Sequence, residues 1–276
     1  MEPVPLSCLA TSLLAVVGLT SPALGQSATT DLGVGVELVL AVDISRSIDP
    51  SEQMIQRRGY ASAFRSAEIQ KAILFGDMKR IAVTYVEWAG AQSQNVAIPW
   101  MLIDSAEAAS AFADLIETGA SGPVSRTSIS GAIDFSSELF DGNGFSGLRH
   151  VIDVSGDGPN NQGRAVTEAR DAAVIRGITI NGLPLLTGTG NNGGWSSIPD
   201  LDRYYVDCVI GGMGAFSIAV TGWDQFAMAV RHKLVLEIAG GQPLAQDRLV
   251  RVAGTAPSDC LVGERLWEER QRSWSE

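Results

Sequence analysis

The chain has 276 residues, with 31 acidic and 20 basic side chains, and therefore a formal charge of −11. Because 45% of the residues are hydrophobic and only 18% are charged, the chain can bury a core, which excludes an intrinsically disordered protein. The acidic balance argues against nucleic-acid binding, which needs clustered positive charge. The cysteines and the two histidines form no CxxC, CxxH or HExxH spacing, so the common zinc sites are excluded as well.

The first 25 residues have the pattern of a signal peptide. An apolar stretch from Leu6 to Leu19 precedes Pro22 and the small-x-small sequence Ala23-Leu24-Gly25, which is typical of a cleavage site. A membrane anchor is the alternative, but the stretch is short and interrupted for a span of about 20 residues. No later apolar run has that length. We therefore expect an exported protein, periplasmic or secreted, with no membrane span after cleavage.

The rest of the chain alternates between strand and helix patterns. Val36 to Val42 is an almost continuous apolar run, as expected for a strand that is buried on both faces. A helix is predicted from about Pro50 to Leu74, followed by a strand from Ile81 to Trp88. Only six residues separate this strand from the next, Asn95 to Ile103. The two strands should therefore form an antiparallel hairpin at the edge of a sheet.

The alternation continues in the second half of the chain. Asp104 or Ser105 caps a helix that ends at Gly119, and a further helix runs from about Ser128 to Phe140. The later elements are predicted as strand Val151 to Val154, helix Gly163 to Arg176, strand Ile178 to Leu186, strand Tyr205 to Ile210 and helix Trp223 to Ala239. This order predicts a doubly wound α/β fold, with a mostly parallel sheet, one antiparallel edge strand and helices on both faces.

The predicted domain covers residues 34–240, after a signal peptide at 1–25 and before a C-terminal tail at 241–276. Cys208 lies in this domain and Cys260 lies in the tail. Two remaining cysteines in an exported protein favour a disulfide, which would add about 4 kcal/mol in the chain-entropy model. Two independent buried thiols are the alternative, and the sequence does not decide between them.

Polar side chains follow two of the predicted strands, where ligands bind in a doubly wound sheet. Asp43, Ser45 and Ser47 follow the first strand in the sequence DISRS, and Asp157 follows the fourth strand in SGDG. If these strands are neighbours, the two segments meet in one crevice, where Thr127 would add a third hydroxyl. Oxygen ligands without thiolate or imidazole select a hard cation such as Mg²⁺, Mn²⁺ or Ca²⁺. The alternative is that these residues only cap helices and form turns.

The same segments resemble a known family. DISRS, Thr127 followed shortly by GAI, and an apolar strand that ends in SGDG are similar to the metal-ion-dependent adhesion site of von Willebrand factor A-like domains. The resemblance implies that Ser45 and Ser47 bind a metal directly and that Thr127 binds it directly or through water. It also implies that Asp43 and Asp157 act more often through water. The family has a parallel sheet with one short antiparallel edge strand.

Within this family, the segments RHVIDVSGDGPNNQG, YYVDCVIGGMGAF and KLVLEIAG resemble a group of uncharacterised exported bacterial proteins. The resemblance implies a protein that is not an enzyme and that recognises a protein partner, whose Asp or Glu completes the metal coordination. Two departures from the family pattern concern the metal loops. Ser155-Gly156 replaces the more usual apolar-Thr before Asp-Gly, and Arg46 places a cation inside DISRS.

Two other functions remain open from the sequence. A metal-assisted hydrolase such as a phosphatase needs a base or nucleophile, for which Asp43 is the candidate, but the DxD pattern is absent. A structural domain with a degenerate, empty metal site is the other. A serine hydrolase is not favoured, because it needs a histidine at the carboxyl edge of the sheet. His150 is predicted at the opposite edge, at the start of a strand, and His232 lies within a predicted helix. Gly188–Gly193 matches GxGxxG but opens no helix, so it does not predict a nucleotide site.

Overall fold

The structure is a computed structural model that describes residues 1, 30–119, 122, 124–187, 197–241 and 257–275. The predicted signal peptide, apart from Met1, and the Gly188–Gly193 segment lie outside the described residues. A search of the described residues finds no helix with the length and apolar character needed to cross a membrane.

Strands and helices alternate along most of the described chain. The strands, β1 to β7, are Leu32–Val34, Glu37–Asp43, Ile81–Trp88, Gln94–Ile103, Phe145–Gly147, His150–Gly156 and Ile178–Pro184. The helices, α1 to α8, are Pro50–Arg65, Ala67–Leu74, Ala106–Thr118, Ile129–Glu138, Val166–Ile175, Leu201–Tyr204, Phe226–Ala239 and Val262–Ser275. A π-helical turn, Tyr205–Val209, continues directly from α6.

The central sheet has five strands in the order β4-β3-β2-β6-β7. The β3–β4 hairpin is antiparallel, and the other pairs of this sheet are parallel. All seven residues of β2 are buried, as expected for a central strand with helices on both faces. A small parallel pair, β1 with β5, lies outside this sheet. The predicted doubly wound fold with one antiparallel edge strand is therefore confirmed.

Two hydrophobic cores cover the two faces of the sheet. Helices α1, α2, α3 and α7 pack on one face, where Phe64 and Phe112 make an edge-to-face contact with ring centroids 4.9 Å apart. Helices α4, α5 and α6 pack on the other face around Trp88 and Tyr205. Full burial of one Phe side chain contributes about 1.5–3 kcal/mol, so these layers hold the strand ends of the sheet in place.

The sequence predicts one helix from about Pro50 to Leu74, and this prediction is wrong in one respect: the segment forms two helices, α1 and α2. The break lies at Ser66, whose backbone is extended, with ψ 145°. Its hydroxyl accepts a hydrogen bond from the backbone N–H of Ile69 at 3.3 Å and so caps α2. Serine competes for backbone hydrogen bonds in this way, which favours caps over helix interiors.

The predicted strand from Tyr205 to Ile210 is also wrong, because the segment is helical. Tyr204, Tyr205, Cys208 and Val209 are all buried against the second core. Counted from Tyr204, the other three lie one, four and five residues further along the chain, which is the spacing of residues on one face of a helix. The β-branched and aromatic composition suggested a strand, but packing on the sheet determines the local structure here.

Candidate metal centre

The carboxyl ends of β2 and β6 lie side by side. These strands are parallel neighbours, and Val42 of β2 is paired with Ser155 of β6. Asp43 is the last residue of β2, and Asp157 directly follows β6. The topology therefore brings the two predicted loops into one crevice, as expected for a doubly wound sheet.

Hydrogen bonds connect the polar side chains of the two loops. The Ser45 backbone N–H donates to Asp43 Oδ1 at 2.6 Å, which tightens the turn after β2. The hydroxyl oxygens of Ser45 and Ser47 are 3.0 Å apart, and Ser47 Oγ donates to Asp157 Oδ1 at 2.8 Å. The alternate residues of DISRS therefore turn toward the loop after β6.

Thr127 lies in the same crevice. Its loop is joined to the first metal loop by a bridge between Val124 and Ser45. The Thr127 N–H donates to Asn161 Oδ1 at 3.0 Å, and the Asn161 N–H donates to the Thr127 carbonyl at 2.9 Å. Ser45, Ser47 and Thr127 line one cavity of about 470 Å³. All five residues of the predicted site therefore lie close together.

The two carboxylates lie beside each other, Asp43 buried and Asp157 partly buried. Asp43 is fully buried, and its Oδ2 atom has no hydrogen-bond partner among the described residues. Burial, and then the charge of Asp157, raise the pKa of Asp43 well above its ordinary value. Burial also raises the pKa of Asp157 to about 6, although the hydrogen bond from Ser47 opposes this shift. Two neighbouring carboxylates shielded from water repel each other when both are ionised, so the pair favours either a proton or a cation.

No positive side chain of the described residues forms an ion pair with Asp43 or Asp157. The described residues also contain no group of three or more His, Cys, Asp or Glu that is arranged to hold a metal ion. A cation at this position would therefore depend on the Ser and Thr hydroxyls as well as on the two carboxylates. This donor set fits a hard cation such as Mg²⁺.

The C-terminal helix also lies at this cavity, which the sequence analysis did not predict. A disulfide joins Cys208 to Cys260, with Cα atoms 5.5 Å apart, so the alternative of two free thiols is wrong. Helix α8 begins two residues later, and its Trp267 lines the cavity together with Ser45 and Thr127. The cysteine pair was the only signal in the sequence that connected the tail to the domain.

Neither histidine is at the candidate centre. His150 begins β6 at the end of the strand opposite Asp157, and its Nε2 atom lies 3.2 Å from Glu37 Oε1. His232 is an exposed residue of α7. A serine nucleophile near the metal loops would therefore have no histidine base.

The chain is similar to a protein family and to several solved structures. The profile of a family described as a protein of unknown function, DUF1194, matches residues 33–242. No curated protein matches the sequence. One similar solved structure is that of proximal thread matrix protein 1 from the mussel byssus, with a zinc-occupied metal-ion-dependent adhesion site (MIDAS) motif. Its TM-score is 0.56 at 15% identity, and the match covers 76% of this chain and 49% of that chain.

Two bacterial structures have the same fold. A von Willebrand factor type A protein from Catenulispora acidiphila has a TM-score of 0.52 and 12% identity, covering 75% of this chain and 43% of that chain. The pilus adhesin SpaC from Lactobacillus rhamnosus GG has a TM-score of 0.50 and 12% identity, covering 75% of this chain and 31% of that chain. The chain spans about half or less of the length of these proteins, and at such identities the similarity shows the fold alone.

Proposed function

Because the chain belongs to the DUF1194 family and has a von Willebrand factor A-like fold, we propose that it binds a divalent cation and uses it to bind a protein partner. The observation that carries this proposal is the pair formed by the buried Asp43 and the partly buried Asp157. The pair has two like charges, an unpartnered oxygen on Asp43 and no ion pair with a positive side chain of the described residues. A bound cation would remove this unfavourable arrangement.

The proposed ligands have distinct roles. Ser45 and Ser47 bind the cation directly, and Thr127 binds it directly or through water. Asp43 and Asp157 balance its charge, mainly through water. Asp43 also fixes the turn by accepting from the Ser45 backbone N–H, and Asp157 orients the Ser47 side chain by accepting from its hydroxyl. The short side chains suit a small, hard ion, so Mg²⁺ is the first candidate, with Mn²⁺ and Ca²⁺ as alternatives.

A carboxylate of the partner would complete the coordination. A centre with few direct charges keeps an exchangeable position, and an Asp or Glu oxygen is a hard ligand of the same kind. Binding would then be reversible and would depend on the metal, without any bond being made or broken. The zinc-occupied MIDAS motif of the mussel byssus protein and the adhesin function of SpaC are consistent with this proposal.

Export of the chain is part of the same proposal. The signal-peptide pattern of residues 1–25 supports it. The Cys208–Cys260 disulfide supports it independently, because disulfides persist mainly in oxidising compartments. The protein would therefore act in the periplasm or outside the cell. A phosphatase activity has no added support, because Asp43, its candidate base or nucleophile, is fully buried and does not line the cavity.

The test is a metal titration of the purified protein, prepared with a chelator and then dialysed. We expect Mg²⁺, Mn²⁺ or Ca²⁺ to raise the free energy of unfolding by about 2.7 kcal/mol at 100 times its dissociation constant. For a domain of this size, that is roughly 5–10 °C in the unfolding midpoint. Isothermal titration calorimetry should give one site per chain.

The matched variants are Asp43→Asn and Asp134→Asn. Asp43→Asn keeps the size of the side chain but removes the charge, so it should abolish the metal response. Asp134 is exposed and pairs with Arg164, away from the cavity, so its variant should respond like the wild type. A wild-type protein that binds none of the three ions at millimolar concentration would favour a structural domain with an empty site.

A further inference from the structure

The cavity beside the candidate metal centre has two different walls. One wall consists of Ser45, Ser47 and Thr127, with Arg46 and Arg126 at its border, and the other consists of helix α8. We call the part lined by the basic and aromatic side chains the arginine pocket. Its members are Arg46, Arg126, Arg270, Trp267 and Trp274.

Helix α8 is held firmly at this cavity. The Cys208–Cys260 disulfide joins its start to the domain. Asn160, in the loop after β6, donates from Nδ2 to Glu264 Oε1 at 2.7 Å. Gly263 packs so closely on this loop that an added Cβ would lie 2.0 Å from the Asn160 carbonyl oxygen. The helix therefore forms a defined wall, although it lies beyond residues 33–242, the part that matches the family profile.

The arginine pocket concentrates positive charge in an acidic protein. The Arg126 guanidinium lies 3.3 Å from the ring centroid of Trp267, and Arg270 lies 5.6 Å from the same ring. Arg126 has a positive φ of 82°, a strained conformation for a residue with a Cβ atom. None of the described residues that line the cavity is acidic. Arg126 and Arg270 both lie against the Trp267 ring, so two like charges are close together there.

We propose that the arginine pocket binds a second carboxylate of an acidic polypeptide segment, whose first carboxylate binds the metal centre. This inference rests on the proposed function and specifies the partner. Two carboxylates in one segment match the two positive groups of the cavity, which are the cation at the metal loops and the guanidinium groups of the arginine pocket. Guanidinium groups bind carboxylates with two parallel hydrogen bonds, so the pocket selects the position of the second acid as well as its charge.

A polypeptide fits this pocket better than an acidic polysaccharide. Sugars bind tryptophan by stacking on an open ring face, but Arg126 already covers one face of Trp267. Trp274 meets Trp267 edge to face, with ring centroids 5.9 Å apart, so the two rings do not form a flat platform. Flexible Asp and Glu side chains can reach both walls without such a platform.

The test uses blocked nonapeptides of Gly and Ser that contain no Glu, one Glu, or two Glu separated by zero to four residues. Binding to the purified protein is measured by isothermal titration calorimetry, with saturating Mg²⁺ and with a chelator. We expect the best two-Glu peptide to bind about tenfold more tightly than the one-Glu peptide in Mg²⁺, a difference of about 1.4 kcal/mol. The peptide without Glu should not bind.

The variants Arg270→Gln and Arg126→Gln should each remove the advantage of the second Glu. Arg270→Gln should bind Mg²⁺ at least as tightly as the wild type, because one positive charge fewer lies beside the cation. Arg272→Gln is the matched control, since Arg272 lies on the same helix but does not line the cavity. This control should retain the full advantage of the second Glu.

Several results would overturn the inference, and they differ from a failure of the proposed function. Mg²⁺ binding with equal affinities for one-Glu and two-Glu peptides would overturn the second-carboxylate site and leave the metal centre intact. If the two-Glu peptide still binds more tightly than the one-Glu peptide in both arginine variants, the second-carboxylate site is overturned as well. Tighter binding of tetragalacturonate than of any peptide would assign the pocket to a polysaccharide. Absence of Mg²⁺ binding, with an arginine-dependent advantage of the second Glu, would contradict the metal centre and support the pocket.

Discussion

Two carboxylate pairs among the described residues differ in how their charge is compensated: one pair contacts a buried lysine, and the other has no ion pair. In the first pair, Asp153 of β6 and Glu237 of α7 surround the fully buried Lys233. Lys233 Nζ lies 2.6 Å from Asp153 Oδ1, close enough for an ion pair although not in hydrogen-bond geometry, and it donates a hydrogen bond to Glu237. Asn181 Nδ2 donates to Glu237 Oε1 at 2.8 Å.

The second pair, Asp43 and Asp157, is surrounded by hydroxyls in place of an ammonium group. Ser47 donates to Asp157, and the Ser45 N–H donates to Asp43, but no lysine or arginine of the described residues pairs with either. Burial of a charge is costly unless it is compensated. The same sheet therefore compensates one carboxylate pair with a lysine and leaves the other without such compensation, as the proposed cation site requires.

The largest predicted effect comes from removing the internal cation. Lys233→Met should lower the free energy of unfolding by about 3–5 kcal/mol, because it leaves two buried carboxylates without a partner. Urea unfolding of the metal-free protein measures this loss. Lys71→Met, at an exposed position of α2, should change stability by less than about 0.5 kcal/mol. A Lys233→Met protein as stable as this control would show that the cluster does not depend on the ammonium group.

The second prediction concerns pH. Burial, and then the charge of Asp153, raise the pKa of Glu237 to about 7. Between the ordinary Glu pKa and about pH 7 the folded state therefore holds a proton that the unfolded chain releases, so stability should fall as the pH rises through this interval. The wild type should lose about 2–3 kcal/mol more than Glu237→Gln between pH 5 and 8.

Urea unfolding at four pH values in chelator measures this difference. Asp43 and Asp157 also titrate, but they are present in both proteins, so the difference between the two curves isolates the Lys233 cluster. Glu138→Gln, at an exposed position of α4, should give a curve parallel to that of the wild type. Parallel curves for wild type and Glu237→Gln would contradict proton uptake by Glu237.

The third prediction is a gain in stability when a charge is removed from the Asp43 and Asp157 pair. Without metal, Asp43→Asn should raise the free energy of unfolding by about 1–2 kcal/mol, because it removes the buried member of two neighbouring like charges. The new amide can also donate to Asp157. Asp134→Asn should change the metal-free stability by no more than about 0.5 kcal/mol. A destabilised Asp43→Asn protein would mean that the charge of Asp43 is already compensated in the metal-free fold.

The candidate metal centre was predictable because its parts follow local rules. Strand β2 is one buried apolar run, the short link after β3 leaves no room for a crossover helix, and Ser105 caps α3. Once β2 and β6 are neighbours, Asp43 and Asp157 must meet at the carboxyl edge. The positions of these residues depend on strand order, which the alternation of strands and helices largely determines.

The parts that were not predicted depend on contacts between distant segments. Lys233 is 80 residues from Asp153, and the sequence contains no spacing that relates them. The position of α8 depends on the Cys208–Cys260 disulfide and on close packing of Gly263 against the loop after β6. In the Tyr205–Val209 turn, burial on the sheet overrides the strand preference of its residues. Each of these features is determined by tertiary packing, which local patterns do not report.

The smallest predicted change in stability separates a ligand from a structural residue. Thr127 is only 5% exposed, yet no described residue hydrogen-bonds to its hydroxyl. Thr127→Val should therefore change the metal-free stability by less than about 0.5 kcal/mol. Its Mg²⁺ dissociation constant should rise by about tenfold or more, as expected when a ligand or its water-linked neighbour is removed. Thr118→Val, on the exposed side of α3, should leave that constant unchanged. Equal Mg²⁺ affinities for the two variants would remove Thr127 from the ligand set and restrict the centre to the loops after β2 and β6.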